Sequence, residues 1–287
     1  MSLCKSIKFK KVRVMTVEFS LAHLTLLENS PTEMIDIAHY AGYDYVSFRL
    51  TPVCKNEQVF PMLSNQLLRR NIKNRLADTG VKILDIELAR LGPENEPEDY
   101  LSILDAGADF GAKHVICQAP DPEPSRVVDK ISRLCELAKP FGLTVDVEFL
   151  PWSNIANLGD TANIIEQVNC NNAGILVDIL HFARSESSLE QLRNLPKKWF
   201  NFVHLCDADK AIPTTAEGLI HTARYDRNFV GEGGINVAEI INAMPKVPYS
   251  LEIPNDKLRE TLGNQEYAKR ALDVARDYLE KALLVNS

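Results

Sequence analysis

The sequence has no Cys-x-x-Cys pair: Cys4, Cys54, Cys117, Cys135, Cys170 and Cys206 are scattered along 287 residues. In a chain long enough to bury a full core, such spacing predicts reduced thiols rather than a disulfide framework, and makes the cytosol the expected compartment. No apolar run reaches the roughly 18 residues that a membrane span requires. The basic start, MSLCKSIKFKKVRVMTVEF, has no long apolar stretch with a cleavage site behind it, so no secretory signal is expected. Positive charge is in deficit. The 32 Lys and Arg against 39 Asp and Glu give a net charge of −7, which speaks against a nucleic-acid footprint. No G-x-G-x-x-G follows the first strand, which removes support for a dinucleotide fold, and no P-loop lysine points to phosphate. No linker, low-complexity tract or composition shift divides the chain, so one domain over residues 1–287 is expected.

What is present is alternation. Short β-type runs are each followed by a helical pattern: Met15–Ala22 then Thr32–Ala41, Tyr43–Leu50 then a helix within Leu63–Asp78, Val81–Leu88 then Pro97–Phe110, His114–Gln118 then Arg126–Ala138. Leu143–Phe149 precedes Asp160–Gln167, and Gly174–Ile179 precedes Leu189–Asn194. Phe200–Cys206 precedes a long irregular stretch, Asp207–Ile235, and a helix near Val237–Ala243. Tyr249–Ile253 precedes the closing helix Tyr267–Leu284. Glycines at Gly42, Gly80, Gly111, Gly142 and Gly174 mark entries into strands, where a left-handed residue stops the preceding helix. Eight strand–helix units in one chain read as a parallel (β/α)8 TIM barrel, with an open doubly wound sheet as the rival.

Four late strands end in residues that an apolar strand has no need of: Glu148 in VDVEF, Asp178 in ILVDI, His204 in FVHLC and Glu252 in SLEIP. Alone, each has an ordinary explanation: a solvated or salt-bridged glutamate, a capping aspartate, a satisfied core histidine. Together, at the ends of successive barrel strands, they converge on one mouth. Three carboxylates and an imidazole crowded there call for a cation. Three oxygens and one nitrogen suit one divalent ion, Mn²⁺ or Mg²⁺ first, with Co²⁺ or Zn²⁺ also compatible.

Other side chains would line the same mouth: His23 after the first strand, Arg49, Glu87, Arg90 and Gln118. Glu87 and His23 are the stronger substrate candidates among them, although Glu87 paired with Arg49 or Arg90 reads equally as a structural ion pair. Trp152 would form an apolar wall or pack under a loop. Gly231, Gly233 and Gly234 would let backbone N–H groups approach an anion, or simply form a tight turn before a helix. His39 and His221 look incidental, and His114 starts its strand at the wrong end of the barrel. Cys206 lies near the mouth with no base placed beside it.

These residues resemble the xylose-isomerase-like superfamily, which contains sugar and sugar-phosphate isomerases and epimerases, inosose and dehydroshikimate dehydratases, and endonuclease IV. The resemblance covers essentially the whole chain. It is carried by the Glu in VDVEF, by Asp178-Ile179-Leu180-His181, and by the His in VHLCDA. The segment ARYDRNFVGEGGI and the closing LEIPN complete it. It implies that Glu148, Asp178, His204 and Glu252 bind one divalent metal. It also implies that His181 and the arginine before the glycine-rich turn touch substrate. Arg224 is the first choice for that arginine and Arg227 the competing match. The early-strand histidines of a trinuclear endonuclease site are missing.

The expected activity is a metal-dependent isomerase or epimerase working on a small polyhydroxy carbonyl compound through an enediolate. Glu148 and Glu252 would exchange protons with substrate. A dehydratase of the inosose or 3-dehydroshikimate type is the alternative, and a barrel that binds a ligand without turnover is an alternative of another class. The expected partner is a small molecule, with no nucleic acid and no membrane. The oligomeric state is left open, a homo-oligomer included.

Overall fold

The computed structural model describes residues 17–54, 57 and 59–284, with the side chains of residues 283 and 284 left out. Met15 and Thr16 of the expected first strand lie outside the described residues, as does Cys4. Eight strands form one closed parallel barrel in sequence order. They are β1 (Phe19–Leu21), β2 (Tyr45–Arg49), β3 (Lys82–Arg90), β4 (His114–Gln118), β5 (Thr144–Glu148), β6 (Ala173–Asp178), β7 (Val203–Leu205) and β8 (Tyr249–Leu251). The ring closes where Phe19, Ser20 and Leu21 pair with Tyr249, Ser250 and Leu251.

Helices join the strands: α1 (Pro31–Ala41), α2 (Gln66–Thr79), α3 (Leu101–Phe110), α4 (Pro124–Ala138), α5 (Leu158–Val168), α6 (Ile179–Ala183), α7 (Leu189–Asn194), α8 (Ala216–Tyr225), α9 (Val237–Ala243), α10 (Asp256–Leu262) and α11 (Asn264–Leu284). Their ends follow local chemistry. Ser30 and Glu33 form a reciprocal capping box at the start of α1, and Pro31 occupies the first turn. Four of the expected glycine stops hold, with Gly42, Gly80, Gly111 and Gly142 all at positive φ. The fifth does not. Asn169, at φ 47°, ends α5 instead, and Gly174 sits inside β6. A Cβ on Gly174 would lie 2.3 Å from Asp146 Oδ1, so glycine there serves close approach.

Two apolar layers follow from strand alternation. Val115 and Cys117 of β4 join the large core between sheet and helices. Ile116 between them joins Tyr45, Leu84, Leu88, Leu176 and Phe202 in a smaller cluster that fills the barrel interior. That plug closes the barrel beneath its C-terminal mouth.

The expected irregular stretch Asp207–Ile235 is corrected. It contains α8, whose N-terminus is capped by Thr215 accepting from the Gly218 N–H. Its apolar positions, Ala216, Leu219, Ile220 and Ala223, follow the helical spacing over little more than two turns, although only Ala223 is buried. The terminal helix also begins earlier than expected, at Asn264, behind the separate helix α10. Among the described residues no helix is long and apolar enough to cross a membrane.

Candidate active site

Strand register brings the late strand ends to one level. Asp178 pairs with His204 across β6 and β7, His204 pairs with Ser250 of β8, and Glu252 follows two residues later. One donor atom each from Glu148, Asp178, His204 and Glu252 lies within 4.8 Å of the others, and all four residues are buried. His204 Nδ1 stands 3.3 Å from Glu252 Oε2, 3.6 Å from Glu148 Oε1 and 3.8 Å from Asp178 Oδ2. Ligands about 2.1 Å from a tetrahedral ion are separated by roughly 3.4 Å.

Each carboxylate is oriented by its second oxygen or a neighbour. Asp178 caps α6, its Oδ1 accepting the N–H groups of Leu180 (2.7 Å) and His181 (3.1 Å), which leaves Oδ2 toward the cluster. Gln118 donates to Glu148 Oε2 at 2.6 Å, leaving Oε1 toward His204. Arg227, 1% exposed, donates to Asp178 Oδ2 at 2.7 Å and lies 2.9 Å from Glu252 Oε2.

The donor set fits a divalent cation. Among the described residues, neither ring nitrogen of buried His204 has a hydrogen-bond partner. Three carboxylates against one guanidinium leave two negative charges uncompensated in a place water barely reaches, a deficit that a divalent ion removes. Protein groups alone respond to that deficit. Burial by itself would lower the pKa of His204, but the Glu252 and Glu148 carboxylates overrule it and hold it well above the usual value. Burial would raise Glu252, yet His204 and Arg227 hold it well below the carboxylate range.

Above the cluster is a cavity of about 400 Å³ lined by Glu148, Glu252, Gln118, His181, Trp152 and four arginines, among others. His181 is 3% exposed, its Nδ1 has no hydrogen-bond partner among the described residues, and the Trp152 ring meets it edge-on at 5.2 Å. Arg224 lines the wall, 2.6 Å from Glu57.

Two expected substrate residues, His23 and Glu87, are not in that lining. His23 is 1% exposed and fully used: its Nδ1 accepts the Arg49 N–H at 2.9 Å and its Nε2 lies 3.2 Å from the Asn29 carbonyl. Burial lowers its pKa to about 4. Glu87 lies behind Arg49, which donates to it from Nε at 2.7 Å, and Ser47 donates to its other oxygen. The ion pair, not the substrate contact, is what the geometry contains. The glycine-rich turn is likewise filled from within. Asp207 accepts the N–H groups of Gly231, Gly233 and Ile235 at 3.0–3.1 Å, so the anion in that cradle is the chain's own. His39 and His221 are exposed and away from the cavity, and burial pushes the Cys206 thiol up to about 12.

Sequence reasoning missed Glu57. It lies in an irregular segment after β2, where no periodicity or motif marks it. Its carboxylate nevertheless joins Arg49 (3.1 Å) to Arg224 (2.6 Å) at the cavity wall.

The chain belongs to the xylose isomerase-like TIM barrel family, whose pattern matches residues 35–278. It is 26% identical over 274 residues to the inosose isomerase of Halalkalibacterium halodurans, spanning 90% of this chain and 94% of that protein. It is 28% identical over 147 residues to a 3-dehydroshikimate dehydratase of Pseudomonas putida, covering 50% of this chain and 22% of that protein. The structure of the IolI protein with a binding zinc atom superposes with a TM-score of 0.76 at 19% identity, covering 92% of this chain and 99% of that one; this likeness concerns the fold. The named relatives are enzymes.

Proposed function

We propose that this chain is a divalent-metal-dependent isomerase or epimerase of small polyhydroxy carbonyl compounds, with Glu148, Asp178, His204 and Glu252 holding the ion. The observation that carries this reading is the buried cluster of four donors within 4.8 Å at the floor of a cavity. A divalent ion there supplies Lewis acidity, which acidifies the C–H beside a carbonyl. Mn²⁺ and Mg²⁺ suit the oxygen-rich set, and the zinc atom of the IolI structure makes Zn²⁺ a further candidate.

The protein's own groups do the rest. Glu148 and Glu252 rise from β5 and from just past β8, on separated parts of the barrel wall, so one takes a proton from carbon and the other returns one. Gln118 fixes Glu148 through Oε2, which keeps Oε1 turned to the cluster and leaves Oε2 as the oxygen that faces away from the ion. Arg227 offsets the charge of Asp178 and Glu252, and His181, with an unused ring nitrogen, donates to a substrate oxygen on which charge develops. Trp152 covers the site and limits water.

Loss of a β-hydroxyl after the same proton abstraction is the second reading, favoured by the likeness to the P. putida dehydratase. Turnover of a ketose and keto-cyclitol panel in D₂O tests both. Deuterium should appear at the carbon next to the carbonyl. An ultraviolet-absorbing product marks dehydration. Turnover without deuterium in substrate or product would point to direct hydride shift and overturn the proton-transfer mechanism.

A further inference from the structure

We infer that the substrate carries a carboxylate and that Arg90 receives it. The inference rests on the metal-dependent reading above and narrows its substrate class. Four guanidiniums line the cavity, those of Arg49, Arg90, Arg224 and Arg227. Three are already neutralised. Arg49 is held by Glu87 and Glu57, Arg224 by Glu57, and Arg227 by Asp178 and Glu252. Arg90 is different. Among the described residues no carboxylate lies within ion-pair distance of it, and its guanidinium makes no hydrogen bond, although its backbone is pinned. Its carbonyl accepts the Tyr100 hydroxyl at 2.6 Å. Its strand position is fixed by pairing with Gln118, the residue that orients Glu148. An exposed, unpaired cation is thus anchored two strands away from the proposed proton-transfer group, with Gln118 of β4 between them.

Charge bookkeeping points the same way. Glu57, Glu87, Glu148, Asp178 and Glu252 face four guanidiniums and, when loaded, one divalent ion. One positive charge remains, on the exposed arginine at the cavity edge that has no partner among the described residues and is open to an incoming anion. A monoanion balances it, and the planar fork of arginine matches the two oxygens of a carboxylate. A phosphate dianion would need more cations or a cradle of free amides, and the amides of the glycine-rich turn are occupied by Asp207. The cavity's remaining wall is largely apolar, with Leu24, Val53, Leu150 and Ile220, so the free guanidinium is the feature that selects an anionic group.

Matched ligands isolate the carboxylate. Glucose, glucuronate and glucose 6-phosphate share one ring and differ at one carbon, and quinate and its neutral methyl ester form a second pair. Binding to the Mn²⁺-loaded full chain is read by tryptophan fluorescence, since Trp152 lines the cavity, with elemental analysis alongside. At least one carboxylate should bind about tenfold or more tighter than its neutral partner, and Arg90→Gln should weaken that carboxylate about 10- to 100-fold, as expected for one charged contact. Arg90→Gln should leave the neutral ring and the metal content unchanged, and Arg90→Lys should restore part of the affinity. Equal weakening of neutral and carboxylated ligands by Arg90→Gln, no carboxylate preference on either ring, or tighter binding of the phosphate would overturn the inference. Absence of metal with an intact Arg90-dependent preference would remove the proposed function and leave the carboxylate subsite standing. Metal-dependent deuterium exchange confined to neutral substrates would do the reverse.

Discussion

Arg227 meets Asp178 at the oxygen that matters most. Its Nη1 lies 2.7 Å from Asp178 Oδ2, and that oxygen, 3.8 Å from His204 Nδ1, faces the proposed metal position. Arg227 therefore stabilises the metal-free carboxylates and competes electrostatically with a cation. Arg227→Gln should have opposite effects on the two states. Metal-free protein should melt lower, because breaking a buried pair costs about 3–5 kcal/mol, while Mn²⁺ should bind more tightly. kcat/KM should fall roughly 10²–10³-fold, typical of losing one charge-stabilising donor. Arg224, half-buried and tied to Glu57, should cost only about tenfold as Arg224→Ala, an ordinary effect of one partly solvated contact. Calorimetric titration and melts in EDTA check the first part. Weaker Mn²⁺ binding to Arg227→Gln would contradict it.

Asp178→Asn separates the two jobs of this residue. Asparagine is a good N-cap, so the Oδ1 bonds to Leu180 and His181 survive and α6 should keep its start. The charge on the cluster side is lost. Metal content should fall and the far-ultraviolet circular dichroism should stay that of wild type, with Glu148→Gln behaving alike. Full metal occupancy in both variants would refute the ligand assignment.

These expectations show what the sequence could carry. The four cluster residues were legible because each interrupts an apolar strand at its end, and barrel closure forces such ends together. Alternation says which side chains point inward, but not which inward side chain is screened by another. Glu87 shows the difference: its partner Arg49 lines the cavity and Glu87 does not. The two backbone partners of His23, the Arg49 N–H and the Asn29 carbonyl, depend on tertiary placement and leave no mark in the sequence. Arg224 and Arg227 were inseparable without α8. The first falls in its last turn and the second beyond its end, where the chain turns back into the barrel mouth.

Asp207 organises the segment that carries both arginines. Its Oδ2 accepts from Gly231 and Gly233 and its Oδ1 from Ala208 and Ile235, at 2.8–3.1 Å. Asparagine offers one accepting oxygen and turns an N–H₂ toward donors. Asp207→Asn should therefore destabilise the protein by about 3 kcal/mol, the cost of stranding buried donors, lowering Tm by roughly 5–10 °C. Gly233→Ala should act through the same contact, since its Cβ would fall 2.3 Å from Asp207 Oδ1. Thermal melts of the two variants and of the double variant should show losses that do not add. Simple additivity would mean that the turn and the carboxylate act separately.

His23 makes stability depend on pH. Burial lowers its folded pKa to about 4 from the ordinary 6.5. Between these values the unfolded chain binds a proton that the folded chain refuses, so stability rises with pH across the window and is lost as pH falls from 6.5 to 4. The full loss is about 3 kcal/mol. His114, also lowered by burial, adds in the same direction. Asp121, lowered to about 2 mainly by its Arg126 hydrogen bonds, loses its contribution only below about 4 and leaves the window alone. His23→Asn retains an acceptor for the Arg49 N–H but cannot titrate. Urea unfolding at pH 7, 6, 5 and 4 in EDTA, which keeps metal release out of the comparison, should show His23→Asn losing about 3 kcal/mol less than wild type between pH 7 and 4, since the opposing contribution of His204, raised by Glu252 and Glu148, is common to both. Parallel profiles would mean that His23 takes up its proton in the folded barrel as readily as in the unfolded chain, and that its two backbone contacts do not hold it neutral.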